Sequence, residues 1–174
     1  MSTITTSTDR TAPAGALVRL IHFVFDHMVW SAALVAPLVL RFALATPFFR
    51  SGLTRWDGFL AFNPSTVYLF TEEFKLHILG GAYAFPAPAT IGFLTGVAEI
   101  TLPILLVLGV FTRFTALGLL IMTGVIQLVM PDGWANFHLP WAGLALAIIA
   151  IGPGPVSLDW LLGRMFPRLL QQPK

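Results

Sequence analysis

Thr90–Phe111 reads TIGFLTGVAEITLPILLVLGVF, an apolar run with a single charge, Glu99, near its middle. A bilayer crossing needs about 20 apolar residues in helical conformation, so this run is read as a transmembrane helix. A carboxylate at that depth costs a few kcal/mol on insertion scales unless it is paired or faces a polar interior. A second run, Val29–Phe49, is interrupted near its middle only by Arg41. Two crossings with opposite charges at their centres predict antiparallel helices joined by an intramembrane Arg41–Glu99 pair. A pair that fixes helix register is favoured over one that receives a ligand.

The rest of the chain supports a membrane setting. Of its 174 residues 56% are hydrophobic and 10% charged, with a mean hydropathy of +0.82. Soluble domains carry about 25% charged residues. The chain has no cysteine. Disulfides, thiolate metal sites and iron–sulfur clusters carried by this chain are therefore excluded. The net charge of +2, with scattered arginines, gives no nucleic-acid footprint.

Outward from the two runs, the expected class is all-α: an integral membrane four-helix bundle with amphipathic interfacial helices at both ends. Residues 1–14, rich in Ser and Thr, read as a disordered tail, and no cleavable signal peptide is visible. Gly15–Met28 places Leu17, Leu20, Ile21, Val24, Phe25 and Met28 on one helical face and Arg19, His22 and Asp26 on another, the pattern of an interfacial helix or a collar on the bundle. The crossings are expected at 29–49, 90–111, 114–130 and 136–151. The last is the weakest, because Leu139–Ile151 alone is too short at 1.5 Å per residue. Pro37, Pro47 and Pro103 predict bends. The connection 50–89 is expected to hold a short helix over the bundle mouth, with Gly80-Gly81 only a loop signal. Gly92-x-x-x-Gly96 permits close helix contact. Gly152-Pro153-Gly154-Pro155 ends the last crossing. Residues 157–170 form the second interfacial helix, with Ser157 as N-cap and Asp159 in the first turn. One side holds Arg10, Arg19, Arg113, Arg164, Arg168 and Lys174, against Arg50, Arg55 and Lys75 on the other. This asymmetry places both termini in the cytoplasm.

A candidate outer pocket follows from this topology. Arg50 and Arg55 lie just past the first crossing, Gln127 near the outer end of the third, and Asp132, Trp134 and His138 in the turn after it, with Glu99 as the floor. Trp134 and Trp141 also suit an interface belt. His22 and His27 fall on the inner-side collar and His77 and His138 on the outer side, so no histidine pair faces across helices at mid-membrane depth, which disfavours haem; His77 and His138 could share a weak metal site, and no metal is assigned. There is no Walker loop, GxGxxG, GxSxG or HExxH, and no catalytic residue is assigned.

The chain resembles the DoxX family of small bacterial inner-membrane proteins over about residues 34–162. The likeness is carried by Leu40-Arg41-Phe42-Ala43-Leu44, by Phe49-Arg50-Ser51-Gly52-Leu53-Thr54-Arg55, by Gly96-x-x-Glu99, by Leu108-Gly109-x-x-Thr112-Arg113 and by Gly152-Pro153-Gly154-x-x-Ser157-Leu158-Asp159. Leu69–Lys75, Val125-Ile126-Gln127 and the His138–Trp141 pair are similar to members encoded beside metal-responsive peptide-modification genes. The resemblance implies a four-helix membrane fold and carries the family's Glu over to Glu99 and its basic residue after Ser-Gly over to Arg55. The family takes its name from a subunit associated with thiosulfate:quinone oxidation, and other members are linked to oxidative or metal stress. The expectation is a stress-linked membrane factor, not an enzyme on its own, acting with a redox or metal-stress partner among membrane lipids. The alternatives are a quinone-interacting subunit, with quinone as its cofactor, and a small transporter or assembly scaffold; a homo-oligomer is compatible with each.

Overall fold

The protein is described by a computed structural model over residues 12–59 and 61–166. Among the described residues, four helical segments are long and apolar enough to cross a membrane: Gly15–Leu53, Pro88–Leu108, Thr112–Val129 and Pro131–Ile151. The described residues are mostly helical, with two small strand pairs. The expected tail falls mostly outside the described residues, except that 12–14 already belong to a helix.

Helix α1 runs without a break from Ala12 to Leu53, 42 residues with Pro37 and Pro47 inside it. The structure thus joins the expected interfacial helix 15–28 and the crossing 29–49 into one rod. No glycine, proline or cap lies between Val18 and Ala36 to divide them, so the helix continues through the junction. Its two ends differ sharply. Every residue from 15 to 35 is exposed, and packing begins at Ala36.

The connection after α1 is more ordered than expected. Strands β1 (Trp56–Gly58) and β2 (Ala61–Phe62) pair antiparallel. A short helix α2 (Pro64–Tyr68), capped by the Asn63 side chain on the Ser65 N–H, runs into a π-turn at Leu69–Glu73. Strands β3 (Lys75–Ile78) and β4 (Gly81–Ala84) form a hairpin with Leu76 opposite Tyr83. Its turn needs positive φ at Leu79 (49°) and Gly80 (82°), a geometry glycine adopts at little cost. The Gly-Gly signal was therefore a hairpin turn and not a bare loop.

Helix α3 (Pro88–Leu108) ends in an αL glycine, Gly109, whose N–H bonds the Leu106 carbonyl, a standard C-terminal stop. Three residues later α4 (Thr112–Val129) begins. Thr112-Arg113, the two residues left between the expected second and third crossings, is already helical; Gly109–Phe111 turns instead. A 3₁₀ turn at Pro131–Gly133 and a π-turn at Trp134–His138 lead into α5 (Leu139–Ile151), which gives the fourth span its missing length. Helix α6 (Leu158–Met165) follows, with Ser157 Oγ accepting from the Trp160 N–H as expected of an N-cap. Residues 167–170 of the expected second interfacial helix lie outside the described residues.

Packing arranges the long helices in a ring. α1 packs most extensively on α3 and α4 on α5, with α1 also touching α5 and α3 touching α4. Leu44 and Phe48 of α1, Leu106 of α3, Leu119 of α4 and Ile148 of α5 are buried together as the core. Gly92 and Gly96 do not serve a contact between long helices. A side chain at Gly92 would meet Phe70 at 3.2 Å, and one at Gly96 would meet Arg55 at 3.2 Å, so these glycines admit the folded connection against α3.

Candidate membrane cavity at the Arg55–Glu99 pair

The register of α1 against α3 decides the site. A side chain on Gly52 would lie 2.8 Å from the Glu99 backbone, so the end of α1 meets the middle of α3. Arg41, eleven residues earlier in the helix, is displaced from that level by about 16 Å at 1.5 Å per residue. The expected Arg41–Glu99 pair is therefore corrected: it assumed that both helices fill the same slab, and α1 is offset by half of α3.

Each charge has other partners. Glu99 is buried; its Oε2 lies 3.1 Å from Arg55 Nε, and its Oε1 accepts from Ser51 Oγ at 3.0 Å. Arg41, also buried, donates from Nη1 to the Val107 carbonyl at 3.1 Å, from Nη2 to the Val156 carbonyl and from Nε to the Pro37 carbonyl at 3.3 Å. Carbonyls at the end of α3 are left without helical partners, and a buried guanidinium satisfies them. Asp159 supplies the nearby negative charge. Its carboxylate accepts from the N–H groups of Phe111 (2.8 Å) and Thr112 (2.7 Å) and from Thr112 Oγ1 (2.7 Å), capping α4 rather than its own helix. Arg41 and Asp159 are thus the clasp of the α3–α4 turn.

Arg55 stands at the polar end of a cavity of about 630 Å³. Its Cζ is 5.7 Å from the Phe70 ring centroid and 5.9 Å from that of Phe74, close enough for cation–π attraction. Among the described residues its hydrogen bond to Glu99 uses Nε, and its Nη atoms form none. Phe85 completes the aromatic roof, stacked near Phe70 at 5.4 Å between centroids. His138 and Trp141 also line it, with Ile91 and Thr95 of α3 and Ile121 and Val125 of α4. Ile121 and Val125 line the cavity and are 61% and 41% exposed, so the cavity is open on its α4 side. Nearer the α3–α4 turn the two helices close up, since a side chain at Gly118 would meet Leu102 at 3.2 Å.

The predicted outer pocket is partly assembled. Arg55, Glu99 and His138 line the one cavity. Gln127 supports it: its Oε1 accepts from His138 Nδ1 at 2.6 Å while its Nε2 donates to the Pro131 carbonyl. Asp132 lies apart, with His77 and His138, on a shallow basin at the outer surface. Arg50 and Trp134 are exposed and line neither space. His138 was expected in the turn at the outer end; it is buried within the fourth span, because the π-turn continues that helix outward. A side chain on Gly133 would come 2.5 Å from His138 Cε1, so the imidazole sits directly under that turn. Among the described residues no three His, Asp or Glu side chains gather as a metal site; the His77 ring bonds the Leu128 carbonyl at 3.1 Å. Ser51 and the aromatic roof were missed as site residues. Their signals were Ser51 standing one turn before Arg55, and the Phe70–Phe74 spacing.

A family model for DoxX matches residues 36–132, which span α1 from its first packed residue to the turn after α4. The chain belongs to the DoxX family. It is 33% identical over 147 residues to an uncharacterized protein of Haemophilus influenzae (strain ATCC 51907 / DSM 11121 / KW20 / Rd), covering 76% of this chain and 87% of that one. No solved structure matches. The DoxX match includes Arg41, Ser51, Arg55 and Glu99 and stops short of His138 and Asp159.

Proposed function

We propose that this DoxX protein is a membrane-embedded binding subunit that draws an amphipathic, oxygen-headed molecule from the bilayer into the Arg55–Glu99 cavity, on behalf of a redox partner protein. The ligand class is an isoprenoid quinone. The observation that carries the reading is the guanidinium of Arg55, held by Glu99 through one nitrogen and presenting its remaining N–H groups beside an otherwise apolar space. A carbonyl oxygen is the natural acceptor for such donors. The volume lies in the range of small-molecule sites, about 300–1,000 Å³. An aromatic roof suits a flat ring, His138 offers a second polar contact, and the open α4 side gives an isoprenoid tail a way out into lipid. A scaffold or a closed register device would need no such space.

In this reading the setting is the bacterial inner membrane, with both termini cytoplasmic. It rests on Arg19, Arg113 and Arg164 at one end of the helices against Arg50 and Lys75 at the other. Oxidative or metal stress is the circumstance in which a quinone-linked accessory would act. The test is purification of the wild-type protein and of Arg55→Met from native membranes, with mass spectrometry of the extracted lipids and copurified proteins. Quinone enriched over bulk phospholipid in wild type and lost in the variant supports the reading; phospholipid alone in both overturns it.

A further inference from the structure

The amino-terminal half of α1 has no protein partner among the described residues. At the level of Pro37 and Arg41, α1 already touches Gly154 and the carbonyls of Val107 and Val156, which mark the ends of α3 and α5. Residues 15–35 therefore project beyond the bundle. The whole of α1 is 42 residues, about 63 Å at 1.5 Å per residue, twice a hydrocarbon core of about 30 Å. One straight rod cannot place both halves within the bilayer.

The arm is nonetheless apolar. On a wheel of 3.6 residues per turn, Arg19, His22 and Asp26 fall within about 60° of one another, and exposed hydrophobic residues occupy about 240° of the rest, broken only by His27 and Ser31, whose side chains bond the Phe23 and Met28 carbonyls of the same helix. They include Val18, Ile21, Phe23, Val24, Phe25 and Trp30, each about half exposed or more. A second copy would cover one face of this arc and leave its flanks in water. Acyl chains can cover all of it, and a narrow polar stripe opposite a wide apolar arc is the division a helix needs to lie in a headgroup layer. The break that would permit this is at hand: Pro37 has no N–H for the Ala33 carbonyl, and it lies at the first packed turn. The DoxX match begins at residue 36, so the arm lies outside the matched family region.

We propose that residues 15–35 dock lengthwise in the lipid interface on the side of the α3–α4 turn, hinging at Pro37. The Arg19–His22–Asp26 stripe faces water, and the groove formed by Ile21, Val24, Phe25 and Met28 faces the acyl chains.

The test uses the full unmodified protein in vesicles of phosphatidylcholine and phosphatidylglycerol carrying a photoreactive diazirine either near the acyl carbonyl or at the chain end. The expected result is labelling of Ile21, Val24, Phe25 and Met28 by the shallow probe, without comparable labelling by the deep one. Equal labelling by the deep probe would make the arm a transmembrane segment. No lipid labelling would leave it a rod in water, and cross-links to a second copy in place of lipid would make it an oligomer contact. Any of these three overturns the proposal. The absence of native cysteine allows a second readout. In lipid, H22C and D26C should react with an aqueous maleimide at least about tenfold faster than V24C and M28C if the apolar face is buried in the interface; equal rates at all four positions contradict it.

Discussion

Arg55 Nε lies 3.1 Å from Glu99 Oε2, although the two residues belong to different elements and Arg55 stands just beyond the end of its helix. Gly52 makes the approach. Without a side chain, the last turn of α1 settles on the Glu99 backbone, and the chain then turns so that Arg55 reaches back. The carboxylate on α3 is thereby neutralised at mid-helix depth, beside a space open on its α4 side.

That pairing predicts a specific coupling pattern. Removing one partner of a buried ion pair strands the other charge and costs about 3–5 kcal/mol. Arg55→Met should be destabilising on that scale, and adding Glu99→Gln should restore part of the loss. Arg41→Met combined with Glu99→Gln should be additive, since those sites share no partner. Unfolding of the three single and two double variants in detergent checks this; strong coupling of Arg41 with Glu99 would refute the assignment.

The clasp at the α3–α4 turn predicts the effect of Gly109→Ala. Gly109 has φ +71°, and an added Cβ would come 2.4 Å from both Arg41 Nη1 and Ser157 Cβ. Strain of this kind costs about 1–3 kcal/mol before any clash is counted. Gly124→Ala is the control. It is interior to α4 with nothing within 4 Å, so the exchange should be neutral or stabilising by up to about 1 kcal/mol. Thermal unfolding of both variants should show opposite signs or one near-zero shift.

Asp159 acts on α4 from the far end of the sequence. Asp159→Ala removes acceptors for two N–H groups and the Thr112 hydroxyl, and loss of a helix cap costs about 1–2 kcal/mol. Hydrogen exchange should accelerate at Phe111 and Thr112 before it does at the centre of α4. Unchanged exchange at those two amides would show that the cap is not needed.

Gly133 tests the seat of His138. Gly133→Ala places a methyl against the imidazole and should break the 2.6 Å contact with Gln127. Imidazole nitrogen shifts measured by NMR should match those of Gln127→Ala. An unperturbed spectrum would mean the ring has room to move without losing its partner.

The apolar runs made the membrane helices readable, because 20-residue apolar periodicity reports burial in lipid directly. Their register was not readable. Arg41 and Glu99 each sit mid-run in sequence, and only the packing of Gly52 on Glu99 shows that the runs are staggered. The fourth span was expected to begin at residue 136, because Leu139–Ile151 alone is too short; its earlier start at Pro131 was not readable, because Pro-Asp-Gly reads as a turn. The small strand pairs in the connection were hidden for a different reason: strands of two to four residues carry too few alternations to show a period. Glu99 was found by chemistry alone, as a charge at membrane depth, whereas Arg55 and His138 were placed in an outer pocket by their positions just past a crossing and in the turn before the last span, and Arg55 also by the resemblance. Ser51, Phe70 and Phe74 joined them only once the connection had been folded over α3.

The central claim is that the Arg55–Glu99 cavity holds an oxygen-headed amphiphile. Its most direct test is a titration of the purified protein with a short-chain ubiquinone, followed by fluorescence quenching of Trp141, which lines the cavity, with Trp141→Phe defining that residue's share. Saturable quenching is expected in wild type and in Arg50→Met, with at least about tenfold weaker binding in Arg55→Met, the loss expected for one hydrogen bond to a charged group at about 1.5–3 kcal/mol. Linear, unsaturable quenching of the same slope in all three proteins would contradict the central claim.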